Sequence, residues 1–385
     1  NEQAMSLKVT DLQSGDARAV YKNSGMDMRT YKRLQMFVHA EKLIDDKTNL
    51  RDGDVSVFLR LGSDSKSNYY EYEVPLSLTE PGNYSTYNAQ DQEAVWPQSN
   101  MFDFPLSLFT NLKLDLNAKK RMDNSTVTFQ TRYSSYDPDK NQNKVTIVGN
   151  PSLSDVRTMM IGVRNNSNAA KDIVVWVNEM RLTDFDQSGG WAAKANVNLG
   201  LSDIATLNIA GHVETVGFGG IDQSLTERRL DDYYQYNIAT MVELGRFLPE
   251  KVKLKAPLFY SITEQRTSPK YNPLDQDILL KDALDNAGSK AERDSISDAS
   301  IEKSTVESFS LSGVSFDIRS KNPMPYDPAN FSISYSYNRQ SKQDPTTEFE
   351  NTYDYRGSFT YSYTPFVKPF VPLKGLKSKS KHLKF

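Results

Sequence analysis

Ala195-Asn196-Val197-Asn198-Leu199-Gly200-Leu201, the turn Ser202-Asp203, and Ala205-Thr206-Leu207-Asn208-Ile209 decide how this chain is read. Apolar and polar side chains alternate strictly on both sides of the turn. A strand sends successive side chains to opposite faces, so this period of two makes an antiparallel hairpin with Val197, Leu199, Leu207 and Ile209 on one face. Asn196, Asn198, Thr206 and Asn208 fall on the other. The same form recurs at Ile238–Leu244, Val252–Tyr260, Phe309–Ile318, Phe331–Tyr337 and Tyr353–Tyr363, giving seven segments after Trp191. A change of phase near Gly313 predicts a bulge. Between segments, Ser202-Asp203 and Gly245–Glu250 are short, whereas 214–234 and 263–308 are long; 320–329 and 339–350 are intermediate. Short turns at one end and long loops at the other are the pattern of a transmembrane β-barrel. Phe331, Tyr335, Tyr337, Tyr353, Tyr355, Phe359, Tyr361 and Tyr363 put a stripe of rings on one face. In water such a stripe is core; in a barrel it is the lipid-facing band and interfacial girdle. Seven strands do not close a bacterial barrel, so the membrane reading expects more strands from outside the sequence, which itself reads as a piece cut from a longer polypeptide.

Upstream of Gly189 the same period of two runs through shorter segments broken by polar turns. Leu34/Met36/Val38/Ala40, Val55/Val57/Leu59/Leu61 and Tyr70/Tyr72/Val74/Leu76/Leu78 each bury one face. Thr126–Tyr133, Lys144–Val148, Val156–Val163 and Ile173–Leu182 are further candidates. These predict an antiparallel, jelly-roll-like β-sandwich over 1–189, then barrel strands over 190–363 and a truncated basic connector over 364–385. The fold class is all-β. One helix is predicted where Leu106, Phe109, Leu112 and Leu116 recur, with Asp103 as cap and Pro105 in its first turn. A second, Asp277–Ala287, lies in the longest loop.

Composition narrows function. The 385 residues carry 46 Lys+Arg against 49 Asp+Glu, a net charge of −3 with no basic field for nucleic acid. The longest apolar run, Ile173–Val177, is far short of the ~20 residues of a membrane helix. There is no cysteine, hence no disulfide, thiolate metal site or cysteine nucleophile. Aromatic residues make 11% of the chain, led by 21 Tyr, which suits strands with one apolar and one wet face.

No catalytic, metal or cofactor pattern emerges. His39, His212 and His382 are scattered, with the first two expected on wet strand faces. Asp184–Gly189 resembles a calcium loop only superficially, because Ala195 stands where the bidentate Glu belongs. Glu71/Glu73 and Asp231/Asp232 read as solvated charge rather than a hydrolytic pair. Gly217–Gly220 opens no helix. The chain is therefore expected not to be an enzyme; a soluble or surface-attached sandwich that binds glycans, or a polysaccharide-cleaving β-enzyme, are the rival readings.

Several uninterrupted words carry a family resemblance. Val174–Asp186, with Trp176, Asn178 and Arg181, runs into Gly189-Gly190-Trp191. Gly217–Gly220, Glu227–Arg229 with Asp231–Tyr234, Leu244–Pro249 and Ser268–Asp277, with Tyr271, Asn272 and Pro273, follow, and Tyr31–Glu41, Leu61–Asp64 and Tyr69–Glu73 precede. Together they resemble the SprA/Sov family. That resemblance implies a very large outer-membrane barrel at the bacterial cell surface, the translocon of type IX secretion, tied to gliding motility. It further implies secreted cargo proteins with C-terminal sorting domains, a smaller outer-membrane barrel shuttle protein, a periplasmic plug protein and outer-membrane lipid as partners. Force would come from elsewhere, and the strands would be a passive wall.

Overall fold

The computed structural model describes residues 4–224 and 227–365. Residues 366–385, nearly all of the expected basic connector, lie outside the described residues. The chain separates into two units, each built on antiparallel sheets.

The first unit begins with β1 (Met5–Leu12), β2 (Ala17–Met26), β3 (Tyr31–Glu41), β4 (Val55–Gly62), β5 (Tyr69–Pro75) and a short α1 (Ala89–Val95). It continues with β6 (Phe102–Pro105), α2 (Ser107–Lys120), β7 (Tyr133–Tyr136), β8 (Lys144–Val148), β9 (Val156–Asn165) and β10 (Lys171–Phe185). Two sheets form, ordered β1-β10-β3-β6 and β2-β9-β4-β5-β8-β7. Leu34, Met36, Val38 and Ala40 of β3 meet Val57, Leu59, Leu61, Tyr70, Tyr72 and Val74 of β4 and β5 in one buried cluster, as expected for a sandwich. Phe109, Leu112 and Leu116 bring α2 onto the same cluster. Tyr72 and Phe104 stack at 3.9 Å between ring centroids, at 7°.

Three local expectations are corrected. Asp103 caps nothing: it lies in β6, where register with Gln35 lets it accept from Arg33 Nε (2.5 Å) and Gln35 Nε2 (3.1 Å). The helix starts only at Ser107, without a side-chain cap. Thr126–Tyr133 is not a strand up to Tyr133, because hydroxyls bond locally instead: Ser125 Oγ accepts from Val127 N and Thr131 Oγ1 from Thr128 N. His39 is buried, its Nδ1 within 2.7 Å of the Val95 carbonyl and its ring 4.7 Å from Trp176.

The second unit is one sheet in the order β11 (Ala192–Leu201), β12 (Ala205–Glu214), β13 (Asp231–Glu243), β15 (Pro257–Pro269), β18 (Glu302–Phe316), β19 (Phe331–Asp344) and β20 (Thr347–Tyr361), with β14 (Leu254–Lys255) paired to β18. These are the seven expected strands, longer than the periodic segments suggested. The bulge sits at Gly313, whose φ is 62°, between the pairs Leu311/Tyr335 and Val314/Ile333. Strand growth shortens the connections, and the one expected as intermediate over 339–350 is a tight hairpin, since Asp344 and Thr347 pair across it. Alternation of loop length thus holds for the first hairpins and fails at the last.

The two long connections belong to the first unit, which takes in Thr215–Asp232 and Ser268–Ile301. The second carries β16 (Tyr271–Asn272), β17 (Asp275–Leu279), α3 (Leu280–Asp285) and α4 (Lys290–Ser300). The helix expected over Asp277–Ala287 is α3; Asp277 lies in β17 rather than at its cap. The single cut expected at 189/190 is therefore replaced by a division that the chain crosses repeatedly.

Phe104→Ala is expected to remove about 3–5 kcal/mol from the first unit, the usual cost of emptying an aromatic site in a packed core. The urea midpoint of the sandwich transition measures it.

Candidate functional site: a two-faced sheet and a buried charge cluster

Residues directly opposed in an antiparallel pair share a face. Val197 pairs with Ile209 and Leu199 with Leu207, and Ile209 pairs on with Ile238. Across β13 and β15 the faces continue through side chains: Tyr236 OH donates to Glu264 (3.1 Å), and Asn237 Nδ2 to Thr263 Oγ1 (2.7 Å). Tyr260 then pairs with Phe309, Phe309 with Tyr337, and Tyr337 with Tyr355. Ile333 pairs with Phe359, Phe331 with Tyr361 and Arg339 with Tyr353.

One apolar face thus runs across all seven strands and holds Val197, Leu199, Leu207, Ile209, Phe331, Tyr335, Tyr337, Tyr353, Tyr355, Phe359 and Tyr361. Tyr363 is the exception. It lies beyond β20, with its hydroxyl 3.4 Å from the Pro323 carbonyl. The opposite face holds Asn196, Asn198, Thr206 and Asn208, joined by bonds from Asn208 Nδ2 to Asn196 (3.2 Å) and Asn198. It continues through Ser308, Ser310, Ser336 and Asn338.

The apolar face is open. Val197 is 48% exposed, Ile333 57% and Phe359 65%. Its rings contact one another along the sheet: Phe331–Tyr361 and Tyr337–Tyr355 are each 5.1 Å apart. At one end it turns charged, with Arg339–Glu307 at 3.7 Å and Lys303–Glu264 at 3.4 Å. The apolar run along β19, Phe331 to Tyr337, spans roughly 20 Å at about 3.4 Å per residue, close to the ~25 Å band of an outer-membrane barrel.

The motif residues fall elsewhere. Trp176, Asn178 and Arg181 lie on β10, whose register shifts between Asn178 and Arg181, where Glu179 takes φ 52°. Gly190 lies so close to the backbone of 216–218 that no Cβ fits, while Gly189 has open space around it. The Trp191 carbonyl accepts from Thr215 N (2.9 Å), Trp191 N donates to Thr215 Oγ1 (2.8 Å), and the Trp191 side chain is exposed. Tyr271 lies under the Arg29 guanidinium, 4.4 Å from ring centroid to Cζ, and Lys270 donates to Asp186 (2.8 Å). Asn272 is buried and accepts from Leu274 N, so Pro273 sits in the turn between β16 and β17. Distant family words therefore assemble one anchor for the long connection within the first unit.

At the heart of that anchor is a cluster the sequence reading missed. Lys113 Nζ, almost wholly buried, donates to Asp275, to Asp277 (2.9 Å) and to the Pro151 carbonyl (2.8 Å). Tyr70 OH donates to Asp277 Oδ2 at 2.5 Å. Burial pushes the Asp275 carboxyl up to about 6 against the pull of Lys113, with the nearby Asp277 charge acting the same way. Burial also raises the Tyr70 hydroxyl well above its ordinary value. The signal was present: Phe109, Leu112, Lys113 and Leu116 share one helical stripe, so Lys113 stands on an apolar face.

A family model described as motility related/secretion protein, SprA_N, matches residues 1–284. No curated protein matches the chain significantly.

Lys113→Met is expected to cost about 3–5 kcal/mol, because it leaves the buried Asp277 and the half-buried Asp275 without their cation. Adding Asp275→Asn and Asp277→Asn should restore most of it, as read by thermal melting. A carboxyl whose folded pKa is raised contributes stability that is present near pH 4 and lost as pH rises through about 6. Amide exchange across 271–285 should therefore slow by about tenfold between pH 7.5 and pH 5, after correction for intrinsic rates.

Proposed function

The chain belongs to the SprA_N family of motility-related and secretion proteins, and from that premise we propose that it is a structural part of a very large outer-membrane β-barrel that conducts folded proteins out of the cell. The observation that supports this is the second sheet. A seven-stranded surface with a continuous apolar face, open on both sides, suits a wall between lipid and water. In water the same face would expose a contiguous row of large apolar side chains, which soluble monomers rarely present.

In this reading Val197, Leu199, Leu207 and Ile209 meet lipid hydrocarbon. The rings from Phe331 to Tyr361 supply the band and girdle, and Asn196, Asn198, Thr206 and Asn208 line a wide wet lumen. Seven antiparallel strands leave two unpaired edges, which hydrocarbon does not accept at several kcal/mol per unpaired group. Further strands of a longer polypeptide would complete the cylinder. Transport through it is passive: the wall supplies an aqueous path. We assign no catalytic role to any residue. By the family resemblance, the partners are cargo proteins with C-terminal sorting domains, a smaller barrel shuttle, a periplasmic plug and outer-membrane lipid, in type IX secretion and gliding motility at the cell surface.

Spin labels on the full-length protein in bilayers test the assignment. Labels at 197, 199 and 209 should relax faster with oxygen, and labels at 196, 198 and 208 with a water-soluble nickel chelate. The opposite pattern, or equal access to the nickel reagent at both sets, would overturn the membrane wall. Leu199→Arg should destabilise insertion by about 2–4 kcal/mol and Asn198→Arg far less.

A further inference from the structure

The outer face of the six-stranded sheet in the first unit bears a cleft that none of the foregoing uses. Register aligns its rows. Phe58 opposes Gly162 and Glu73, Glu73 opposes Lys144, and Lys144 opposes Tyr136. Glu71 is fully buried beneath this surface and accepts from three arginines: Arg60 Nε (2.5 Å), Arg132 (2.6 Å) and Arg164 (3.1 Å). Glu73 accepts from Arg164 and from Ser56 Oγ. Phe58 lies between the Arg60 and Arg164 guanidinium groups, 5.1 and 4.8 Å from its centroid. Gly162 makes the room, since a Cβ there would come 2.6 Å from the Phe58 ring.

The cleft opens over this platform, with a volume of about 400 Å³. That is the size of a small-ligand site. Its wall holds three cations, Arg132, Lys144 and Arg164, and one carboxylate, Glu73; Tyr136, Gln142 and Asn166 add polar groups. Among the described residues the Lys144 ammonium makes no ion pair, although its strand position faces Glu73. Behind the wall, Arg60 and Glu71 offset each other. The lining therefore carries an excess of two positive charges on a chain whose net charge is −3. Two of the guanidinium groups are held in place by buried carboxylates, so little side-chain freedom remains to be lost on binding.

We propose that this cleft is a binding site for an oxyanion, a carboxylate or phosphate group, with Lys144 and Arg132 as the direct contacts and Arg164 held as the fixed charge behind them. Lys144 is the informative residue because nothing else in the fold depends on its charge.

The test titrates the full chain in detergent with inorganic phosphate and, separately, with tricarballylate, at constant ionic strength, by isothermal calorimetry. Saturable binding of at least one probe is expected, with phosphate or the carboxylate preferred according to the group the site takes. Lys144→Gln should weaken it at least tenfold without shifting the melting temperature of the anion-free protein, and Lys144→Glu should abolish it. Absence of saturation for both probes up to 50-fold above the concentration at which serum albumin binds them would overturn the proposal. So would an affinity unchanged by either substitution. Binding that persists undiminished in Lys144→Gln would overturn the proposal even if Arg132→Gln removed it, because the site is assigned to the two cations together.

Discussion

A strand offers its side chains to two sides, and each side must find a medium that suits it. This single constraint organises the molecule. In the first unit both sides find protein: β4 and β5 bury apolar residues toward the opposing sheet and polar ones under the loops and arginines of the outer face. In the second unit, among the described residues, the apolar side stays open. Val197, Ile333 and Phe359 keep about half or more of their surface open, so the medium on that side has to come from elsewhere. Transfer of such side chains from water is worth about 1.5–3 kcal/mol each. Repeated over seven strands, that preference is what the proposed contact with lipid would satisfy.

The charged interior follows a different rule. A carboxylate removed from water costs several kcal/mol unless cations and hydrogen bonds replace the solvent. Glu71 meets that demand with three guanidinium groups, and its carboxyl is held below the ordinary glutamate range by Arg164 and Arg60 against the opposing effect of burial. Lys113 meets it in reverse, one ammonium between two carboxylates, which leaves Asp275 inclined to keep its proton near pH 6. Such clusters add little net stability over apolar packing, but they tolerate no wrong partner, so they fix the register of the segments they join.

The long connections show how this matters. Ser268–Ile301 lies between two strands of the second sheet in sequence yet folds as part of the first unit. It is held there by Tyr271 beneath Arg29, by Lys270 on Asp186 and by the Lys113 cluster. The family words around Gly189, Gly217 and Tyr271 are thus largely structural. Gly190 and Gly217 permit backbones to approach where a side chain would not fit, with Gly217 at φ 85°.

Alternation along the chain was enough to establish the all-β class, the seven strands after Trp191, the bulge at Gly313, and which residues of each strand share a face, because a period of two is a local property of the backbone. Composition excluded a membrane helix and thiol chemistry for equally local reasons. Tertiary structure alone decided the rest. It turned Glu71, Glu73 and His39 from wet positions into buried ones, since whether the second face of a strand is covered depends on residues far along the chain, such as Arg132 and Arg164 for the glutamates and Trp176 for His39. It took the long loops out of the second unit and joined Lys113 to Asp275, pairings that loop closure over such distances makes invisible to any local pattern.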